Sequence, residues 1–152
     1  MTHIRELADQ ARARVASYEG CSQEQALTYA CEDVVIDVLG SRSMSEHELT
    51  IWIADVCERE DADAPVLVFV PKGGRIAGST DIDGNVMCLR GRTPGAAVVL
   101  HELAHVVSRA SNHDSQFRTS LVGMWRRHLS VEHAALLHQL FSINNLAVDT
   151  WQ

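Results

Sequence analysis

The chain has 152 residues, 46% of them hydrophobic and 22% charged, with a net charge of −7. That composition excludes disordered and fibrous classes, the length suits one domain, and no apolar run is long enough for a membrane span. The acidic balance argues against a protein that coats nucleic acid through a global basic field.

Residues 3–18 carry Ile4, Leu7, Ala8, Ala11 and Val15 at helical spacing and end before Gly20, a C-cap residue. The polar first residues lack the apolar stretch of a secretory signal, which predicts a cytoplasmic protein. Ser22 with Gln25 resembles a capping box and opens a second helix that runs to Gly40. Ser45 with Glu48 repeats the signature and opens a third, ending near Arg59. The acidic stretch 58–64, closed by Pro65, is too short to divide the chain. The four cysteines, Cys21, Cys31, Cys57 and Cys88, form no C-x-x-C pair and are expected to be reduced and mostly buried.

The hydrophobic period then changes. Val66–Val70 is a short apolar run stopped by Pro71, a strand. Gly73-Gly74 marks a turn. Residues 75–80 and 85–89 flank Asp83-Gly84, a hairpin dipeptide. Asp81, Asp83 and Gly84 resemble the start of a calcium loop, but Arg92 occupies the position of its bidentate Glu, which rules that reading out. Thr93 as N-cap with Pro94 at N1 starts a helix to about Ala110, broken at Ser111-Asn112. Helices follow at 114–128 and 131–145, the latter capped by Ser130. The order is N-terminal helices, a small antiparallel strand region, then three helices, an α+β chain.

Within the Pro94 helix stands His101-Glu102-Leu103-Ala104-His105, an H-E-x-x-H motif. Residues four apart lie on one helix face about 6 Å apart, so two imidazoles can converge on one zinc ion. Glu102 projects beside the pair, where it can reach water rather than metal. A third protein ligand is needed. Ser108 and Ser111 stand where the metzincin pattern has Gly and His, which excludes that class. His113 is the first candidate, because a turn at Ser111-Asn112 can fold it back onto the metal. Glu132, on a following helix as in gluzincins, is the runner-up, and Asp114, as ligand or as a group orienting a His, is third.

The segment H-E-L-A-H, a short spacer and His113-Asp114-Ser115-Gln116-Phe117 resembles the SprT-like group of minimal zinc metallopeptidases, over about residues 86–118. It is similar also to a small actinobacterial family of metallohydrolases. The resemblance implies a minimal zincin-like fold, zinc ligands His101, His105 and His113, Glu102 as catalytic acid/base and Phe117 as a packing aromatic. It implies a peptide or protein substrate. Asp114 replaces the usual Gly and no C-x-x-C ribbon follows, so DNA-linked proteolysis does not carry over. Tyr18, Tyr29, Arg118, His128, His133 and His138 are the candidate donors to a tetrahedral oxyanion. The strand 85–90 is a candidate edge for pairing with an extended peptide. Two other readings stand beside the peptidase: a metal-dependent endoribonuclease, and a non-catalytic module folded around zinc.

Overall fold

The computed structural model describes residues 3–71, 77–91 and 94–151. In chain order the elements are α1 (Ile4–Arg14), a 3-10 turn (Val15–Ser17), α2 (Gln23–Leu39), α3 (Glu46–Arg59), β1 (Val66–Val70), β2 (Gly78–Asp81), β3 (Val86–Arg90), α4 (Ala96–Ser108), α5 (Ser115–His128) and α6 (Val131–Ile143). The protein is α+β. It divides into two compact units, Met1–Gly40 with Asn112–Gln152, and Ser41–Ser111. Among the described residues no helix is long and apolar enough to cross a membrane.

The first unit is four helices. α2 packs on α1 and α6, and α6 packs also on α1 and α5. Each helix starts where a side chain satisfies an amide that the helix leaves open. Ser22 Oγ accepts from the Gln25 amide, Asp114 Oδ1 from the Phe117 amide and Ser130 Oγ from the His133 amide. α1 is capped by His3, with Glu6 reaching back to the His3 amide. That box escapes a sequence reading because His is not a usual cap. α1 also stops earlier than its apolar spacing predicts, passing into the 3-10 turn after Arg14. The core is Ala8, Ala11, Ala30, Val34, Phe117, Leu121, Trp125, Leu137 and Phe141, all fully buried. Each of the larger ones stabilises the fold by about 1.5–3 kcal/mol.

The second unit holds α3, the sheet and α4. The Ser45–Glu48 box forms in both directions. The sheet order is β1-β3-β2, with β1 parallel to β3 and β2 antiparallel to it. The sheet is therefore mixed, not antiparallel throughout as the sequence suggested. β3 is the central strand, so the expectation that strand 85–90 offers a free edge to a peptide fails: both its edges are paired. The β2–β3 hairpin forms, but its left-handed residue is Asn85 (φ 50°) and not Gly84. Asp81 instead accepts a hydrogen bond from the Gly84 amide, 3.1 Å, and a Cβ on Gly84 would collide with that carboxylate. The Gly73-Gly74 turn and Thr93 lie outside the described residues.

α4 begins at Ala96, not at Pro94, with Gly95 as N-cap. Gly95 has no side chain to cap with. Ser41 Oγ accepts from the Ala97 amide, 3.3 Å, and the Arg42 carbonyl from the Ala96 amide, 2.8 Å. The helix ends at Ser108 because Arg109 turns left-handed (φ 53°). The stop expected at Ser111-Asn112 thus comes a turn earlier, and on Arg rather than Asn.

Candidate metal centre

α4 is apolar on nearly every face, and its middle turns are buried. His101, Glu102 and His105 are 6%, 6% and 7% exposed. Three polar side chains at that depth are costly unless each is paired or bound. The two imidazoles stand one helical turn apart with ring centroids 5.2 Å apart, tilted by 70°.

His105 is oriented by its own helix end. The left-handed turn at Arg109 swings the Ala110 carbonyl to 2.5 Å from His105 Nδ1. A carbonyl can only accept, so Nδ1 carries the proton and Nε2 presents the lone pair. Burial holds the imidazole below its ordinary pKa, with nearby His101 adding to this and the Ala110 bond opposing it. The ring is therefore neutral at pH 7, the form that binds metal.

Glu102 is held from the sheet. The Thr80 hydroxyl donates to Glu102 Oε2 at 2.6 Å. Gly78 lies two residues earlier, on the same face of β2. A Cβ at Gly78 would sit 3.0 Å from Glu102 Cγ and 3.3 Å from Oε1.

His113 lies just before the N-cap of α5. Its ring is flanked by Tyr29, centroids 4.9 Å apart, and by Phe117, 4.8 Å apart. Its carbonyl accepts from Arg118 Nη1 at 2.6 Å. Arg118 also donates to Glu24 at 2.8 Å and to the Ala147 carbonyl at 2.9 Å. His101 and His105 belong to the unit Ser41–Ser111, and His113 belongs to the other. Two imidazoles one helical turn apart on α4 form a donor pair of the kind that suits zinc.

The remaining candidates have other work. Asp114 caps α5. Glu132 is exposed in the first turn of α6, where its own backbone amide and Ser130 hold the carboxyl below its usual range. Arg118, weighed above as an oxyanion donor, is 1% exposed and committed to Glu24 and two carbonyls. His133 bonds Ser130 and the Gly40 carbonyl, and His138 the Asp149 carbonyl. Tyr18 bonds Asp33, while the Tyr29 hydroxyl accepts from Gln25. The roles of Thr80 and Gly78 escape the sequence reading. The available signal was G-x-T at strand spacing, with Thr80 22 residues before Glu102. Comparison with protein-family models, curated proteins and solved structures gives no match.

Proposed function

We propose that this protein is a zinc-dependent hydrolase, a metallopeptidase in which His101, His105 and His113 hold the ion and Glu102 is the acid/base. The observation that carries the reading is the pair of buried imidazoles one helical turn apart on α4, with a buried carboxylate next to the first of them. When bound, zinc supplies Lewis acidity, bringing the pKa of water down to about 7 and polarising a carbonyl. His105 is already neutral and oriented through Ala110, so it binds without rearranging. Glu102, kept off the ligand set, takes the proton from the attacking water and returns it to the leaving amine. The Thr80 hydroxyl occupies one face of Glu102 Oε2 and leaves Oε1 to receive that proton.

The same residues weigh on the other readings. A structural zinc site favours four protein ligands, usually with cysteine, and α4 carries none. An RNA-cutting enzyme gains from arginines beside the metal, but the guanidinium of Arg118 is spent on Glu24 and two carbonyls.

The test is a paired measurement of zinc content and hydrolysis, on casein-derived peptides and on an RNA pool. Wild-type protein should hold about one zinc per chain and cut peptides. Glu102→Gln should keep the zinc and lose at least ~10²-fold in turnover. Wild-type turnover by Glu102→Gln, or cleavage of RNA alone, would sink the peptidase reading.

A further inference from the structure

We infer that the inner face of β2 positions Glu102, with Thr80 holding its carboxylate by a hydrogen bond and the missing side chain of Gly78 leaving the space in which it lies. The inference rests on the proposed role of Glu102, but its geometry stands independently of the metal.

β2 alternates. Gly78 and Thr80 point to the side that meets α4, and Ser79 and Asp81 point outward and are exposed. The register places Gly78 opposite Leu89 and Thr80 opposite Met87, and both of those β3 partners are fully buried. Glu102 therefore lies against a sheet face that is apolar except at Thr80. A carboxylate in such surroundings needs a donor, and the Thr80 hydroxyl at 2.6 Å is one. The same hydroxyl lies 3.4 Å from the Glu102 carbonyl, so it tracks the helix backbone as well as the side chain.

Gly78 acts by what it lacks. At 3.0 Å from Glu102 Cγ, a methyl group there is closer than packed carbons tolerate, and it meets the stem of the side chain rather than its mobile tip. Gly78 has no left-handed φ, so its backbone conformation does not call for glycine. Space for Glu102 does. The two residues fix the carboxylate from one strand face: an alanine at 78 displaces it, and the loss of the hydroxyl at 80 releases it. Both act through Glu102, so both are positioning residues.

Three variants test this: Thr80→Val, Thr80→Ser and Gly78→Ala. In crystals of the metal-free proteins, Thr80→Val and Gly78→Ala should each move the Glu102 carboxylate, while Thr80→Ser should leave it in place. Loaded with zinc, all three should bind the ion within about threefold of wild type, because Glu102 is not a ligand. Thr80→Val and Gly78→Ala should lose ~10–100-fold in kcat on peptide with KM nearly unchanged, and Thr80→Ser should recover most of it. A general loss of folding would move KM and zinc affinity too, and would not be rescued by serine. Glu102 unmoved in both Thr80→Val and Gly78→Ala crystals would overturn the inference, as would a Thr80→Ser variant as impaired as Thr80→Val. If the wild-type chain cuts no peptide, the proposed function falls, and the metal-free crystals still decide the positioning.

Discussion

Arg118 and Glu24 form an ion pair of unequal halves, and the inequality fixes which partner is the more costly to change. The Arg118 side chain is 2% exposed and the Glu24 side chain 57%. Replacing Glu24 by Gln leaves the guanidinium buried without a counter-charge, although its bonds to the His113 and Ala147 carbonyls remain. A hydrogen bond to a charged group contributes about 1.5–3 kcal/mol, and solvent exposure of Glu24 points to the low end. Glu24 also sits in the first turn of α2, where a negative charge adds about 0.3–1 kcal/mol. The expected cost is about 2 kcal/mol. Arg118→Met keeps the apolar stem and removes the buried charge altogether. The Glu24 carboxylate and the exposed Ala147 then return to water, which leaves mainly the half-buried His113 carbonyl short of a donor, at about 1 kcal/mol. The double variant should resemble Arg118→Met alone, because no buried charge remains to be compensated. Urea unfolding of the four proteins measures this as a double-mutant cycle, with Tm falling by about 2–4 °C per kcal/mol. If Arg118→Met costs clearly more than Glu24→Gln and the two losses add, the argument from unequal burial is wrong.

The other expectations concern the metal, a cap and alkaline pH. His101→Ala with His105→Ala should abolish zinc binding, and His113→Ala should weaken it strongly in a chelator titration while Glu132→Ala leaves it unchanged; the reverse ranking would move the third ligand to α6. Zinc at about 1,000 times its Kd should stabilise the wild-type fold by about 4 kcal/mol, seen as a rise in Tm that the double His variant lacks. Asp114→Ala should cost about 1 kcal/mol from the loss of the α5 cap, read by urea unfolding, and a zinc affinity reduced far beyond that would return Asp114 to the site. The buried Cys31 thiol is pushed up to about 12 from an ordinary value near 9. A raised pKa in the fold means stability fully present below pH 9 and lost as pH climbs toward 12. Cys31→Ala should therefore unfold less steeply with pH than wild type over that window, and parallel pH profiles would refute the assignment.

What the sequence made legible was local. Ser22, Ser45 and Ser130 cap the helices they were expected to cap, and H-E-x-x-H sits on a helix because its spacing is a helical one. What escaped was contact between distant positions. The amide caps of α4 come from Ser41 and Arg42, more than fifty residues upstream, so nothing near Thr93-Pro94 could signal a start at Ala96. The parallel pairing of β1 with β3 skips a strand, and alternation along one strand does not identify its neighbour. Arginine is usually a surface residue, and the burial of Arg118 depends on Glu24, 94 positions away. Tyr29 meets His113 across a similar separation.

The left-handed turn at Arg109 has an entropic consequence. A free imidazole can flip between two ring orientations and exchange its proton between two nitrogens, and a metal that captures it must freeze both freedoms. With the Ala110 carbonyl on Nδ1, His105 has lost them when the chain folds. Were a metal bound here, that ordering cost would already have been met by folding, and affinity would gain without an added contact. A helix stop a turn later, at Asn112, would leave that carbonyl inside the helix and the ring free to turn.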